Sequence, residues 1–180
     1  MSDSPLPQCV HIRKAVTRGA HYSGILSGEQ LPRLASLLDP DEARVTADVR
    51  FATDDEGRPI AEVSLEACVV LECQRCLGPV KQTLCSHSVL GLVPGDEQAR
   101  ALPPGYEPWI AVEEANLWEM AAEELALAVP VVAYHDEGEC EAPRSENPEP
   151  EDETEVGADS ADNPFSVLAT LLDGSGDKEK

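Results

Sequence analysis

Hydrophobic and polar positions alternate most clearly in the middle of the chain. Val45, Ala47, Val49 and Phe51 alternate with Arg44, Thr46, Asp48 and Arg50. A turn-forming run, DDEGRP at 54–59, follows. Then Ala61, Val63, Leu65, Ala67, Val69, Leu71 and Cys73 fall on one parity, with Glu62, Ser64, Glu66, Cys68, Val70 and Glu72 on the other. Period two sustained over a dozen residues predicts an antiparallel strand buried on one face. After CQRCLGP, Val80, Leu84, Leu90 and Leu92 share a parity and predict a third strand. Residues 43–93 therefore read as a three-strand meander.

Elsewhere the period lengthens. Leu31, Leu34, Leu37 and Leu38 predict a helical face over 29–38, with Ser27 as its N-cap and Pro32 in or near the first turn. A loop rich in Pro and Gly leads to YEPWIAV, a predicted short strand. Asn116 and Glu119 have the N-cap to N3 spacing of a capping box. Leu117, Met120, Ala121, Leu125 and Ala128 form the stripe of the helix they open, and Pro130 ends it. VVAY at 131–134 is expected to return as a strand. Residues 1–28 show weak periodicity.

Charge changes the reading of the C-terminal part. The chain has 180 residues, and 35 acidic against 13 basic residues give a formal net charge of -22. From Asp136 to Asn163 twelve acidic residues face Arg144 alone, with few apolar side chains. Such a stretch buries too little to offset chain entropy and is expected to be disordered. NPFSVLATLL at 163–172 recovers a pattern: Asn163 as cap, Pro164 at N1, and Phe165, Leu168, Leu171 and Leu172 on one face. The expected organisation is a single α+β domain over 1–135, built on an antiparallel sheet with packed helices. An acidic insert at 136–162, an amphipathic helix at 163–172 and a tail at 173–180 follow it.

The same charge bears on partners. Affinity for nucleic acid comes mainly from neutralising phosphates with Lys and Arg, so a chain this acidic repels them. It attracts basic proteins or cations instead. Arg13, Lys14 and Arg18 are a small basic cluster and only a weak phosphate handle. MSDSPLPQ has no basic n-region or apolar h-region, and no apolar run reaches the roughly 20 residues that span a bilayer. A cytoplasmic location without membrane association is expected. In that reducing compartment the six cysteines are expected to be thiols or metal ligands.

Five ordered blocks carry a family resemblance: HYSGILSGEQL at 21–31, VVLECQRCLGPV at 69–80, DEQARALPPGYEP at 96–108, LALAVPVVAYHD at 125–136 and NPFSVLATL at 163–171. Together they resemble the YceD family, described as large ribosomal RNA subunit accumulation proteins. The resemblance covers nearly the whole chain outside the acidic insert. It implies a role in synthesis, processing or stability of 23S ribosomal RNA, and no catalytic activity comes with it. The partner it implies, taken with the charge, is a basic ribosomal protein or a large-subunit assembly intermediate, with RNA contacted indirectly.

Candidate chemistry centres on Cys73 and Cys76, which with Gly78 form C-x-x-C-x-G. That pattern suits a metal knuckle, a tight turn aiming two thiolates at one ion, with Gly78 expected to supply a positive φ. A tetrahedral zinc site needs four ligands, and His135 and Cys140 are the candidates for the second pair. Family members with a cysteine-rich C-terminal segment favour zinc; this chain departs from them, with one cysteine there. The alternative is that Cys73 and Cys76 merely flank a hairpin turn. A redox CxxC opens a helix after a strand, whereas strands are expected on both sides here. Cys9, Cys68 and Cys85 are isolated, and His87, beside Ser86 and Ser88, reads as a surface residue. No P-loop, GxGxxG, HExxH or GxSxG occurs. A non-enzymatic protein is expected. Two alternatives stay open: an RNA-binding module using Arg13, Lys14 and Arg18, and a metal- or thiol-dependent redox protein using Cys73 and Cys76.

Overall fold

The computed structural model describes residues 4–136 and 138–140. The acidic stretch beyond residue 140, the helix expected at 163–172 and the tail at 173–180 lie outside them.

The alternating segments form the centre of a five-stranded sheet. β3 (Arg44–Thr53), β4 (Pro59–Glu72) and β5 (Pro79–Val93) make the expected antiparallel meander. Val45, Val49, Val63 and Val69 are all buried on its inner face. Two strands extend it. β2 (His21–Ser27) pairs antiparallel with β3, and β6 (Glu107–Ile110) pairs parallel with β5, so the sheet order is β2-β3-β4-β5-β6. The architecture is α+β.

The chain before β2 is more regular than its pattern suggests. β1 (Cys9–His11) runs into α1 (Ile12–Arg18). Gly19, at φ 56°, ends α1 in a left-handed conformation, and Ala20 N–H reaches back to Ala15 O at 2.8 Å. This six-to-one bond marks a Schellman stop. β1 pairs with β7 (Glu114–Asn116), forming a second, two-stranded sheet. β7 leads into α3 (Leu117–Ala128). There Asn116 Oδ1 accepts from the N–H groups of Trp118 and Glu119, the expected cap. Leu117, Met120, Ala121 and Leu125 are buried as the stripe requires, while Ala128 is half-buried. Trp118 Nε1 donates to Leu6 O at 3.0 Å, and Trp109 packs at 6.3 Å from Phe51.

Three expectations are corrected. Residues 29–38 do not form an α-helix. A short 3₁₀ turn, Gly28–Gln30, is followed by successive turns through residue 37. Pro32 has no N–H to give, and the bonds that form are mostly one residue tighter, as from Leu34 N to Leu31 O and Leu37 N to Leu34 O. Leu31, Leu34 and Leu38 are still buried, so the apolar pattern reported burial and not helix. Gln30 Oε1 accepts from Ser27 N–H at 2.8 Å, so Ser27 does mark the entry. Residues 131–134 form no strand; they touch the sheet through the single Cys73–Ala133 bridge. The loop after β5 contains a short helix, α2 (Asp96–Arg100). Among the described residues, no helix is long and apolar enough to cross a membrane.

Two carboxylates fasten the sheet. Asp54, at the β3–β4 turn, accepts from the N–H groups of Glu56 and Arg58, from Arg58 Nε at 2.7 Å and from the Tyr106 hydroxyl at 3.1 Å. It thereby ties the turn to the residue that enters β6. Burial opposes its charge, but the Arg58 backbone and side chain, with the other donors, outweigh it and lower its pKa from 3.8 to about 2. Asp39 is buried and meets Lys81 Nζ at 2.6 Å. Beside it Leu38 pairs with Val69, extending the partner of β4 past the start of β3.

Two predictions follow from this packing. A Cβ at Gly24 would lie 2.6 Å from Ser4 O and 2.7 Å from Leu6 N, because residues 4–6 run along the edge of β2. Gly24→Ala is expected to destabilise by about 1–3 kcal/mol, read from the denaturant midpoint. Asp54 carries a depressed folded pKa, so its contribution is present above 3.8 and lost as pH falls through about 2. Asp54→Asn should lower the melting temperature at neutral pH. The gap to the unsubstituted protein should close across that acid window.

Candidate metal centre

The β4–β5 hairpin ends in a tight loop, and the loop carries the CxxC. Cys73 N–H donates to Gly78 O and Leu77 N–H to Cys73 O, so residues 73–78 close directly on the last sheet pair, Glu72 with Pro79. The left-handed residue of this loop is Leu77, at φ 59°, and not Gly78 as its sequence position suggested. Gly78 matters by its size, since a Cβ there would stand 3.5 Å from Cys76 Sγ.

The segment after α3 docks on this tip. Gln74 N–H donates to Ala133 O at 2.9 Å, and Arg75 Nη2 donates to His135 O at 2.7 Å. The Arg75 guanidinium also lies 5.3 Å from the centre of the Tyr134 ring. These bonds draw all four candidate ligands together. Ligand atoms of Cys73, Cys76, His135 and Cys140 lie within 4.8 Å of one another. Cys73 Sγ is 3.8 Å from Cys140 Sγ, and Cys76 Sγ is 3.4 Å from His135 Nδ1. Cys73 is fully buried and the other three are half-buried. His135 Nε2 is 3.0 Å from Pro79 O; as the N–H donor it leaves Nδ1 facing the sulfurs.

The surroundings favour the thiolate at Cys73. Burial pushes the Cys73 thiol up, but the N–H groups of Cys76, Arg75 and His135 converge on its sulfur and bring it down to about 5. The Cys73 sulfur, then the Pro79 carbonyl, raise the pKa of His135. Gly78 N–H favours the Cys76 thiolate, while burial and the sulfurs of Cys73 and Cys140 together push that thiol up. A cation placed among the sulfurs removes that mutual repulsion.

The remaining cysteines and histidines stand apart. Cys9 and Cys85 are exposed, and Cys68 lies beside Asp39, its Sγ 3.8 Å from Oδ2. His87 Nδ1 is 3.0 Å from Ser64 Oγ on the exposed sheet face, and His21 Nε2 lies 2.5 Å from Asp48 Oδ2. Tyr106 serves the strand entry through Asp54. The sequence reading missed one surface feature. A cavity of about 410 Å³ lies between β6 and α3, with Trp109, Ile110 and Met120 beside Glu114, Glu119 and Glu123. The i, i+4 spacing of Glu119 and Glu123 was visible, but not that β6 would face them.

The loop yields a direct prediction. Leu77 is exposed and holds a left-handed conformation that glycine adopts without steric cost. Leu77→Gly should leave stability unchanged or raise it by up to about 1 kcal/mol despite the added chain entropy, checked by thermal melting.

No solved structure matches this chain. The family described as Large ribosomal RNA subunit accumulation protein YceD matches residues 61–172. A curated protein of that description from Haemophilus influenzae is 34% identical over 175 residues, covering 95% of this chain and 98% of the relative. The matched region runs from β4 through the hairpin tip and α3, which is the framework that assembles the four ligands, and on these grounds the chain belongs to the YceD family.

Proposed function

We propose that this protein is a non-enzymatic cytoplasmic factor for accumulation of 23S ribosomal RNA, acting by holding a basic protein of the large subunit. The family and its relative from Haemophilus influenzae supply the ribosomal RNA part of this reading through their description. The protein-contact part rests on the cavity between β6 and α3. Its apolar residues, Trp109, Ile110 and Met120, suit the methylene stem of a Lys or Arg, and Glu114, Glu119 and Glu123 suit the charged head. A chain of net charge -22 also steers cationic partners towards itself and keeps phosphate backbones away. Bound in this way, a basic ribosomal protein would be shielded from nonspecific RNA until it is placed.

One observation favours a direct RNA contact as the second reading. Arg13, Lys14 and Arg18 are exposed on α1, and among the described residues none of them joins an ion pair.

A salt-graded pull-down with mass spectrometry separates the two. A basic large-subunit protein should co-purify at low salt and leave at high salt. Glu114→Lys combined with Glu119→Lys and Glu123→Lys should abolish its capture without lowering the melting temperature by more than a few degrees. Arg13→Glu with Lys14→Glu and Arg18→Glu should leave capture intact. Mature and precursor 23S profiles of a deletion strain should show depletion that the native gene repairs and the triple Glu→Lys gene does not. Strong binding of purified protein to naked ribosomal RNA at physiological salt, lost in the α1 variant, would establish the second reading instead.

A further inference from the structure

We propose that the tip of the β4–β5 hairpin holds a structural Zn²⁺ ion on Cys73 Sγ, Cys76 Sγ, Cys140 Sγ and His135 Nδ1. The inference is independent of the ribosomal reading, since it rests on the geometry of four side chains.

The distances fit a tetrahedron around zinc. Bonds of about 2.3 Å to sulfur and about 2.0–2.1 Å to nitrogen, at tetrahedral angles, imply sulfur–sulfur edges near 3.8 Å and sulfur–nitrogen edges near 3.5 Å. The Cys73–Cys140 and Cys76–His135 separations are 3.8 and 3.4 Å. A disulfide would need its two sulfurs at about 2.05 Å, and every cysteine among the described residues is free. Three sulfurs and one imidazole select zinc over magnesium or calcium, which take oxygen ligands.

The second shell is also in place. His135 Nε2 is within hydrogen-bond distance of Pro79 O, which fixes the tautomer that presents the Nδ1 lone pair. The loop that carries both CxxC sulfurs is closed by Cys73 N–H on Gly78 O at 2.9 Å and by Leu77 N–H on Cys73 O at 2.8 Å. Three thiolates, a neutral imidazole and Zn²⁺ leave one negative charge. The Arg75 guanidinium, bonded to His135 O, stands beside it. Four protein ligands leave no open position for water or substrate, so the ion is structural.

Its effect follows from where the ligands come. Two belong to the hairpin and two to the segment after α3, some 60 residues later in the chain. Among the described residues, and besides the ion, this junction consists of one β-bridge, a few hydrogen bonds, the Arg75–Tyr134 contact and a small cluster around Cys73, Val80 and Ala133. The ion is thus a clasp that fastens the chain leaving α3 to the far end of the sheet.

The test uses the full chain, untagged and purified under reducing conditions. Elemental analysis should find one Zn²⁺ per chain, and X-ray absorption should find three sulfurs and one nitrogen. Cys85→Ser should keep the ion. His135→Cys should keep it with four sulfurs. Cys73→Ser with Cys140→Ser should lose it. Removing zinc with a strong chelator should speed amide exchange in peptides covering residues 131–136 and 73–78, while β3 and the α1 region keep their protection. Reduced protein that takes up no zinc at micromolar concentrations overturns the proposal. So does zinc retained by the Cys73–Cys140 double variant, or an absorption spectrum dominated by oxygen ligands. If the double variant does not fold, His135→Cys and the chelation experiment still decide.

Discussion

Burial of one face of β4 is the interaction on which the rest depends. Its alternating residues put Ala61, Val63, Leu65, Ala67 and Val69 against the core, and a slip of one residue would turn every one of them to water. That register is shared on both sides. β3 and β5 are each paired with β4 for most of their length, so the same pattern fixes both neighbours. Because β4 and β5 continue past the start of β3, the hairpin projects beyond the central sheet. The segment around Leu38 covers one side of the extension, and the residues after α3 meet its tip. The CxxC is therefore placed at the end of the projecting hairpin by packing far from it.

Charge is organised against this frame in two ways. Asp54 and Asp39 are drawn inward, and each has its cation: Arg58 for Asp54, Lys81 for Asp39. Removing one partner of such a pair leaves a desolvated charge, so these contacts define geometry more than they add net stability. Among the described residues most other carboxylates stay in water, where mutual repulsion favours the capture of cations. The cavity beside α3 concentrates three of them over apolar side chains. The tip of the hairpin uses a different chemistry, three cysteine sulfurs and an imidazole in a half-buried cluster, and the two sites lie on different elements of the same domain.

Most of this was legible along the chain. Period two specified the meander, and the Asn116–Glu119 spacing specified α3, because both signals express burial and capping within a few residues. The four cluster residues could be named from the CxxC and the two remaining soft ligands beyond α3. Where the reading failed, the cause was of two kinds. At 29–38 leucines at helical spacing sat beside Pro32, and the backbone followed the missing N–H while the leucines still reached the core. At α1 the apolar stripe is only Ile12, Ala15 and Val16, too short for periodicity, although Gly19 was a visible stop.

By itself, then, the sequence determined the alternation that makes the sheet, the acidic balance of the chain, and the residue types able to bind a metal. The tertiary structure alone decided that β6 runs parallel to β5, that Tyr106 reaches Asp54, and that His135 and Cys140 arrive at Cys73 and Cys76. The β5–β6 pairs join residues 17 positions apart, and the other contacts join residues more than 50 apart. No local pattern encodes them, because they depend on where the hairpin tip and the end of α3 come to rest once the core has closed.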